Sequence, residues 1–565
     1  ISMGQGQGPK AAALITEAMK AGAWVLLQNC HLAPSWMPSL ERICESLNPD
    51  TVDPDFRLWM TSYPTPKFPV SVLQNSVKMT NEPPTGVRAN LKRTYGLDPL
   101  SNDLFFESSG KPEVFKCLCF GLAFIHGFVQ ERRKFGPLGW NIPYGFDDGD
   151  LRISMRQLKM FVDENEHTPF AALKYVTGEC NYGGRVTDDK DRRLLNTLLD
   201  KVYCEASLTV GRPLSSSGVY LIPEVGNREK YLETIVALPT TQTPEAFGLH
   251  DNADISKDAG ETSQLLSSLM LTGSRAGGGA SSSEEEVVRN IVEDTLKRLP
   301  AAFNMEVAQN KFPVLYEESL NQVLCQEMLR YNKLVNVVRT SLQSLEKAIQ
   351  GLLVMSAELE SVFKAIAIGA VPKLWQGVSF PCLKGIAGYV NELLDRLSML
   401  QTWHDTTTPT VFWVSGFFFT PAFMTAALQN FARANNIPID SVDYDFHVMS
   451  MDPKDYKTGP ATGVYIHGLF LEGCGYDAGK QVLCESAPKV LYVPAPVFWM
   501  EAKKIDDMKV FQHYNCPVYR TADRRGVLAT TGHSTNFLKF MRIPSVNPEA
   551  HWILRGVCML CSLPD

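Results

Sequence analysis

The run Trp24-Val25-Leu26-Leu27-Gln28-Asn29-Cys30-His31-Leu32 constrains the fold more than any other stretch of the sequence. A short apolar run bounded by Gly22 and Pro34 reads as a buried strand of a parallel sheet, and the C-terminal end of such a strand is where α/β folds place ligands. The run ends on Asn29. A site that hydrolyses a nucleotide needs carboxylates there, to hold Mg²⁺ and polarise the attacking water, and an amide does neither well. The stretch predicts a nucleotide-hydrolase type of layer in which the acid position, Asn29, is degenerate.

The flanking sequence repeats the pattern. Residues 9–21 suit a helix with Pro9 near its first turn, and Gly22 ends it before a strand at 23–30. A second helix is expected from Ser35 to Leu47, with Trp36, Leu40, Ile43, Cys44 and Leu47 on one face, then a strand at Phe56–Ser62 and another around Val77–Thr80. Alternation of this kind argues for a parallel α/β layer. Residues 102–203 change to helix: an apolar-periodic run at Phe115–Arg132, a loop rich in Gly, Pro and aromatics at Phe135–Gly149, and helices near Ile153–Glu164 and Asp189–Val202. A Gly/Ser-rich insert at 273–283, read as a flexible linker, leads into Glu284–Glu286, acids that suit a helix N-terminus. Helical periodicity then runs from Glu285 to about Trp403, with Leu342, Leu345, Ile349, Leu352 and Leu353 as one stripe of a long helix. From Thr410 short strands are expected at Val411–Phe419, Asp443–Met449, Gly463–Leu471, Val490–Pro494, Cys516–Thr521 and His551–Cys561, interrupted by a helix at Ala422–Ala434. Their spacing predicts a small antiparallel barrel or sandwich.

At 565 residues the sequence exceeds what one core organises, and roughly three or four domains of about 150 residues are expected. A net charge of -7 gives no reason to expect nucleic acid or an anionic membrane as partner. The opening Ile1-Ser2-Met3-Gly4 has neither a starting Met nor the basic and apolar regions of a signal peptide, and reads as an internal segment. The 13 cysteines are scattered through apolar surroundings, which points to a reducing compartment. Cys558-Met559-Leu560-Cys561 lacks a second pair for zinc and reads as a terminal strand.

Gly4-Gln5-Gly6-Gln7-Gly8-Pro9-Lys10 and Ser108-Ser109-Gly110-Lys111-Pro112 look like phosphate loops, but neither has the Gly-Lys-Ser/Thr ending that such loops need. Cys30-His31 are neighbours on a strand and point to opposite faces, so they read as packed residues rather than nucleophile and base. His447, His467 and His551 sit singly, without the spacing that brings two rings to one metal. The most functional-looking stretch is Glu179-Cys180-Asn181-Tyr182-Gly183-Gly184-Arg185-Val186, a polar, glycine-hinged loop between helices. Asn181, Gly183, Gly184 and Arg185 are its candidate coupling residues, as an interdomain hinge rather than a catalytic site.

Several ordered phrases resemble one family. Gly4–Pro9, Trp24–Leu32, Phe56–Ser62 and Asn81–Pro84 are similar to the last AAA module of dynein heavy chains. Gly139–Tyr144, Thr177–Val186, Phe247–Ile255 and Trp413–Phe419 continue the likeness in family order, and only the Gly/Ser-rich insert has no counterpart. The resemblance implies a multidomain α+β protein: a partial AAA+ α/β parallel-sheet layer lacking its start (1–100), a helical lid (101–240), a helical part of a C-terminal domain (241–408), and a small antiparallel β-barrel (409–565). It implies a segment of an ATP-driven, minus-end-directed microtubule motor of axonemal type, inner-arm in preference, that closes and braces the AAA ring without hydrolysing ATP. No cofactor or metal is expected on this segment, ATP/ADP and Mg belonging to upstream modules. Implied partners are the other AAA modules, microtubules through the parent motor, and dynein light and intermediate chains, in the axoneme of a cilium or flagellum after assembly in the cytoplasm. Two other classes stay open at this point: a scaffold protein built from dynein-like domains, and an independent AAA-like nucleotide-binding enzyme.

Overall fold

The computed structural model describes every residue except Gln5, Pro49, Pro66, Asn81, 274–281, Lys509, 527–533 and Asp565. The Gly/Ser-rich insert therefore lies, but for its ends, outside the described residues. Two compact units are formed, Ile1–Pro83 and Pro84–Asp565.

In the first unit, β1 (Trp24–Leu27) pairs in parallel with β2 (Arg57–Met60), Trp24 opposite Arg57 and Leu27 opposite Met60. A parallel bridge from Ser2 to Gln28 flanks β1 on its other edge. The helix Gly8–Ala21 ends where Gly22 turns left-handed, and Met37–Glu45 connects the two strands. Ala11, Ile15 and Ala18 from the first helix and Met37 and Leu40 from the second pack with Val25 and Leu27 in one core. Both helices thus cover the same face of β1. The expected fully buried strand is half-buried instead: Val25 and Leu27 are inside, while Trp24 is 69% exposed and Leu26 43%. The strand expected around Val77–Thr80 does not form. A helix, Val70–Asn75, precedes it, and Val77 and Met79 stand exposed with no sheet to pair with among the described residues.

The second unit has one contiguous apolar core running from Val87 to Cys561. Its central helix, Pro112–Glu131, has buried residues all round. Pro112–Leu138 is long and apolar enough to cross a membrane, yet 83% of its apolar window is buried inside the protein, as befits a core helix. Around it lie Asp148–Glu164, started by a capping box between Asp147 and Asp150, and Asp189–Val202, capped by Asp188. Ser319–Ile349 is the long helix of the next region. Its apolar stripe stops at Ile349: Gly351 takes a left-handed turn, and Leu352 and Leu353 lie beyond the helix, 75% and 44% exposed.

The C-terminal strands are β3 (Val411–Trp413), β4 (Val442–Met449), β5 (Val464–His467), β6 (Phe470–Glu472), β7 (Gly475–Asp477), β8 (Val482–Cys484), β9 (Tyr492–Pro494), β10 (Val497–Lys504), β11 (His513–Thr521), β12 (Phe537–Pro544) and β13 (Cys558–Ser562). They form a sheet in the order β3-β5-β10-β4, another in the order β12-β11-β13-β6-β9, and a β7-β8 ribbon. Pairing is mostly antiparallel, with β3–β5 and β11–β13 parallel. A closed barrel is not formed among the described residues. The edge strands β4 and β12 meet through charged side chains, Lys539 with Asp443 and Arg542 with Asp445 at 2.8 Å, and charges on an edge block a backbone ladder. The strand expected over His551–Cys561 divides into a helix, Glu549–Arg555, and β13, separated by the left-handed Gly556. β10 and β12 were not marked by the sequence pattern, because neither keeps a period of two: β10 opens with four apolar residues, Val497–Met500, and β12 carries its charges, Lys539 and Arg542, three apart.

Candidate functional site

In the first unit, Asn29 lies two residues beyond the end of β1 in a left-handed conformation, φ 58°. Asn readily adopts that region, and the backbone N–H of Asn29 donates to Thr61 Oγ1 at 3.1 Å, just past β2. The amide side chain is exposed at the strand ends, where α/β layers bind ligands. Neighbouring Cys30 is buried, and His31 Nδ1 accepts from the Tyr63 N–H at 3.1 Å. The second phosphate-loop lookalike, in the other unit, cradles a carboxylate of its own protein. Ser109 Oγ and the Gly110 N–H donate to Asp163 at 2.6 and 2.9 Å.

The stretch expected as a glycine-hinged loop is helical. Phe170–Tyr175 runs into a π-helical turn, Val176–Asn181, followed by a 3-10 turn, Gly183–Arg185. Asn181 Nδ2 donates to Ser154 Oγ and Gln157 Oε1 at 3.0 and 2.6 Å. Arg185 donates to Asp150 at 2.9 Å and Asp147 at 2.6 Å, the two acids that cap the same helix. Glu179 is held by Arg192 at 2.6 Å and Asn196 at 2.9 Å, and hydrogen bonds from Asn196 and Arg192 lower its pKa. A side chain on Gly183 would stand 1.8 Å from the Gly178 carbonyl oxygen, whereas one on Gly184 would meet nothing. Asn181 and Arg185 thus converge on the helix Asp148–Glu164, and Asn29 belongs to the other unit.

Further polar residues, unmarked as sites by the sequence, tie the lid helices to the C-terminal sheets. Asn141 donates its side-chain amide to Tyr519 Oη at 2.9 Å, and the N–H groups of Asn141 and Ile142 donate to the Asp191 carboxylate at 3.0 and 3.1 Å. Burial, reinforced by the charge of Asp188, pushes the Asp191 pKa up to about 7 against these donors. Arg193 donates to the Asn515 carbonyl at 3.2 Å and to Tyr514 Oη at 3.3 Å. Lys190 Nζ sits 3.7 Å over the Phe537 ring. Asn252 donates to the carbonyls of Ala487 and Val490, and accepts from the Lys489 N–H, each at 2.8 Å. Asn141 and Asn252 lie inside the phrases Gly139–Tyr144 and Phe247–Ile255, the one sequence signal that marked them.

Asp445, His447 and Glu501 have ligand atoms within 4.8 Å of one another, the spacing of a metal site. Their charge is already met. Lys503 Nζ lies 2.6 Å from Glu501 and 3.5 Å from Asp445, and Arg542 2.8 Å from Asp445. Two cations against two carboxylates leave little attraction for a divalent ion, and the group acts as a salt-bridge network on β4 and β10. Cys558 and Cys561 are both buried in β13, and Cys558 Sγ donates to Glu472 at 3.5 Å.

Three family models match in sequence order: the dynein heavy chain region D6 P-loop domain over residues 1–80, the dynein heavy chain AAA lid domain over 115–253, and the C-terminal domain of the dynein heavy chain over 259–561. Among curated proteins, the sequence is 51% identical over 568 residues to dynein axonemal heavy chain 3 of Mus musculus, covering 100% of this protein and 14% of that one. It is 52% identical over 571 residues to dynein axonemal heavy chain 12 of Mus musculus (100% and 18%), and 49% over 564 residues to dynein axonemal heavy chain 1 of Rattus norvegicus (100% and 12%). It thus spans less than a fifth of the length of these relatives. A C-terminal-domain match over more than half of the sequence, with lid and P-loop-domain matches preceding it in order, places the protein in the dynein heavy-chain family.

Proposed function

We propose that this protein is the bracing, non-hydrolysing part of an axonemal dynein heavy chain, a minus-end-directed, ATP-driven microtubule motor of ciliary and flagellar beating, inner-arm in preference. The observation that carries the reading is the main apolar core from Val87 to Cys561, shared by lid and C-terminal domain within one compact unit. Such a body transmits force without bending, because packed interiors are stiff. The domain limits proposed are 1–100 for the partial AAA layer, 101–240 for the lid, 241–408 for the helical part and 409–565 for the strand-rich part, which acts as a split barrel whose seam is the β4–β12 ion pairs. ATP/ADP and Mg are assigned to upstream modules of the parent motor. Partners are those modules, microtubules through the parent motor, and light and intermediate chains, in the axoneme.

Asn29 supports the absence of hydrolysis, since an exposed amide replaces the acid that would hold Mg²⁺. A titration of the protein with a fluorescent Mg-ATP analogue tests this: no saturation below about 1 mM is expected, and micromolar binding would favour an independent nucleotide-binding enzyme. Asn181, at the end of the π-turn, with Gly183, Gly184 and Arg185 of the 3-10 turn that follows, is proposed as the element that passes lid movement to the helix Asp148–Glu164. Gly183→Ala in the parent motor is expected to slow microtubule gliding while nucleotide binding at the first module persists. Unchanged velocity would count against that role.

A further inference from the structure

Arg132 is the largest charged side chain with no exposed surface in the described structure. Among the described residues no carboxylate pairs with it. Its guanidinium donates, among the described residues, only to backbone carbonyls: Nε to Gly139 at 3.0 Å, Nη2 to Leu138 at 3.2 Å, and Nη1 to Phe247 at 2.5 Å and Leu554 at 2.9 Å. These oxygens share an origin. Leu138 and Gly139 end the 3-10 segment Arg132–Leu138, Phe247 ends the 3-10 turn Pro244–Phe247, and Leu554 lies in the last turn of the helix Glu549–Arg555. The last carbonyls of a helical segment have no partner within it and carry partial negative charge. Three such ends, one early in the lid, one at its close and one almost at the end of the sequence, converge on one fixed fork of donors.

The backbone is shaped to permit this approach. A side chain on Gly139 would stand 1.8 Å from the Arg132 carbonyl oxygen, and one on Gly556 2.4 Å from that of Leu138. Gly556 also needs its left-handed φ of 68° to end the last helix. Burial of a guanidinium with no carboxylate in salt-bridge reach is costly, and beside the longer-range attraction of Asp191 and the Phe128 ring at 5.9 Å it is the carbonyls that offset it. The junction is therefore closed or lost as a unit.

We propose that Arg132 is a latch that fastens the final helix, Glu549–Arg555, to the lid, so that the C-terminal domain follows lid motion instead of sliding over it. The proposal deepens the mechanical reading above and rests on it for its motor consequence, but the latch itself is tested apart from the motor. The Asn141–Tyr519, Arg193–Asn515 and Lys190–Phe537 ties remain when the guanidinium is removed, so the two parts stay associated. Hydrogen exchange of the whole protein is compared for wild type, Arg132→Met and Arg132→Lys. Amides at Phe247–Leu249 and Glu549–Ser562 are expected to exchange about tenfold faster in both variants, with Ser319–Ile349 unchanged. The lysine variant keeps the charge but not the fork, so it behaves like the methionine variant and is the milder test of folding. Unchanged exchange in both variants, or a uniform rise across the unit in the lysine variant, overturns the latch. In the parent motor the same substitutions are expected to lower gliding velocity. Selective exchange with unaltered velocity would keep the latch and overturn the mechanical reading.

Discussion

Asp191 shows how a single buried carboxylate senses pH. It accepts the N–H groups of Asn141 and Ile142 at 3.0 and 3.1 Å, yet burial and Asp188 hold its folded pKa at about 7, above the ordinary 3.8. The folded state therefore binds the proton more tightly than the unfolded state. Its stabilising contribution is complete below about pH 4 and is lost as pH rises through 7, a loss of about 4 kcal/mol over the full window. Asp191→Asn keeps an acceptor oxygen and removes the titration. Thermal or denaturant unfolding between pH 5 and pH 8 is expected to show a flatter pH dependence in Asp191→Asn than in wild type, and identical slopes would exclude Asp191 as the source. Glu327, fully buried, accepts the N–H groups of Phe418 and Phe419, and burial raises its pKa too. Neither residue was marked by the sequence, where each is one acid in an amphipathic helix. What singles them out is depth, which depends on packing.

At the scale of elements, the sequence located the helices Gly8–Ala21, Pro112–Glu131, Asp189–Val202 and Thr420–Ala434 to within a few residues, because their periodicity and end residues act locally. It mistook Glu179–Val186 for a loop, where the structure has the end of a π-helical turn and a 3-10 turn. Two glycines and several polar residues suggest a loop locally, but Asn181, Arg185 and Glu179 each find partners on packed helices, which hold a π-turn in place. The fit is uneven, and that gives a paired test. Gly183→Ala forces a methyl into the Gly178 carbonyl, whereas Gly184→Ala enters open space. Gly183→Ala is expected to cost about 2–4 kcal/mol of unfolding free energy and Gly184→Ala less than about 0.5 kcal/mol. Equal effects would mean the turn relaxes. The β4–β12 seam gives another test. Asp445 is 1% exposed and bonded to Arg542, so Arg542→Met is expected to destabilise by about 2–4 kcal/mol, while Arg542→Lys recovers part of the loss. Chemical denaturation at low and high salt measures both.

Over the whole molecule, the order of parts was legible and their closure was not. The alternation of helix and strand before residue 84, the helices after it and the strands beyond Thr410 follow from hydrophobic period and punctuation, and the long phrases carried the family. That an amide, Asn29, follows the apolar run was likewise legible in the sequence alone. Whether the C-terminal strands form a barrel was not, because strand spacing does not fix which edges pair. Asp443 and Asp445 facing Lys539 and Arg542 stop the ladder and leave two open sheets. The β1 strand looked buried on both faces, yet both connecting helices pack on the Val25 and Leu27 side. The sequence by itself determined most of the helices, the order of the parts and the family, since helix periodicity and end residues act within one or two turns. The tertiary structure alone decided the latch at Arg132, where carbonyls of Phe247 and Leu554, distant along the sequence, meet one guanidinium. Backbone carbonyls are the same at every residue, so no pattern of side chains marks which of them a buried cation will find.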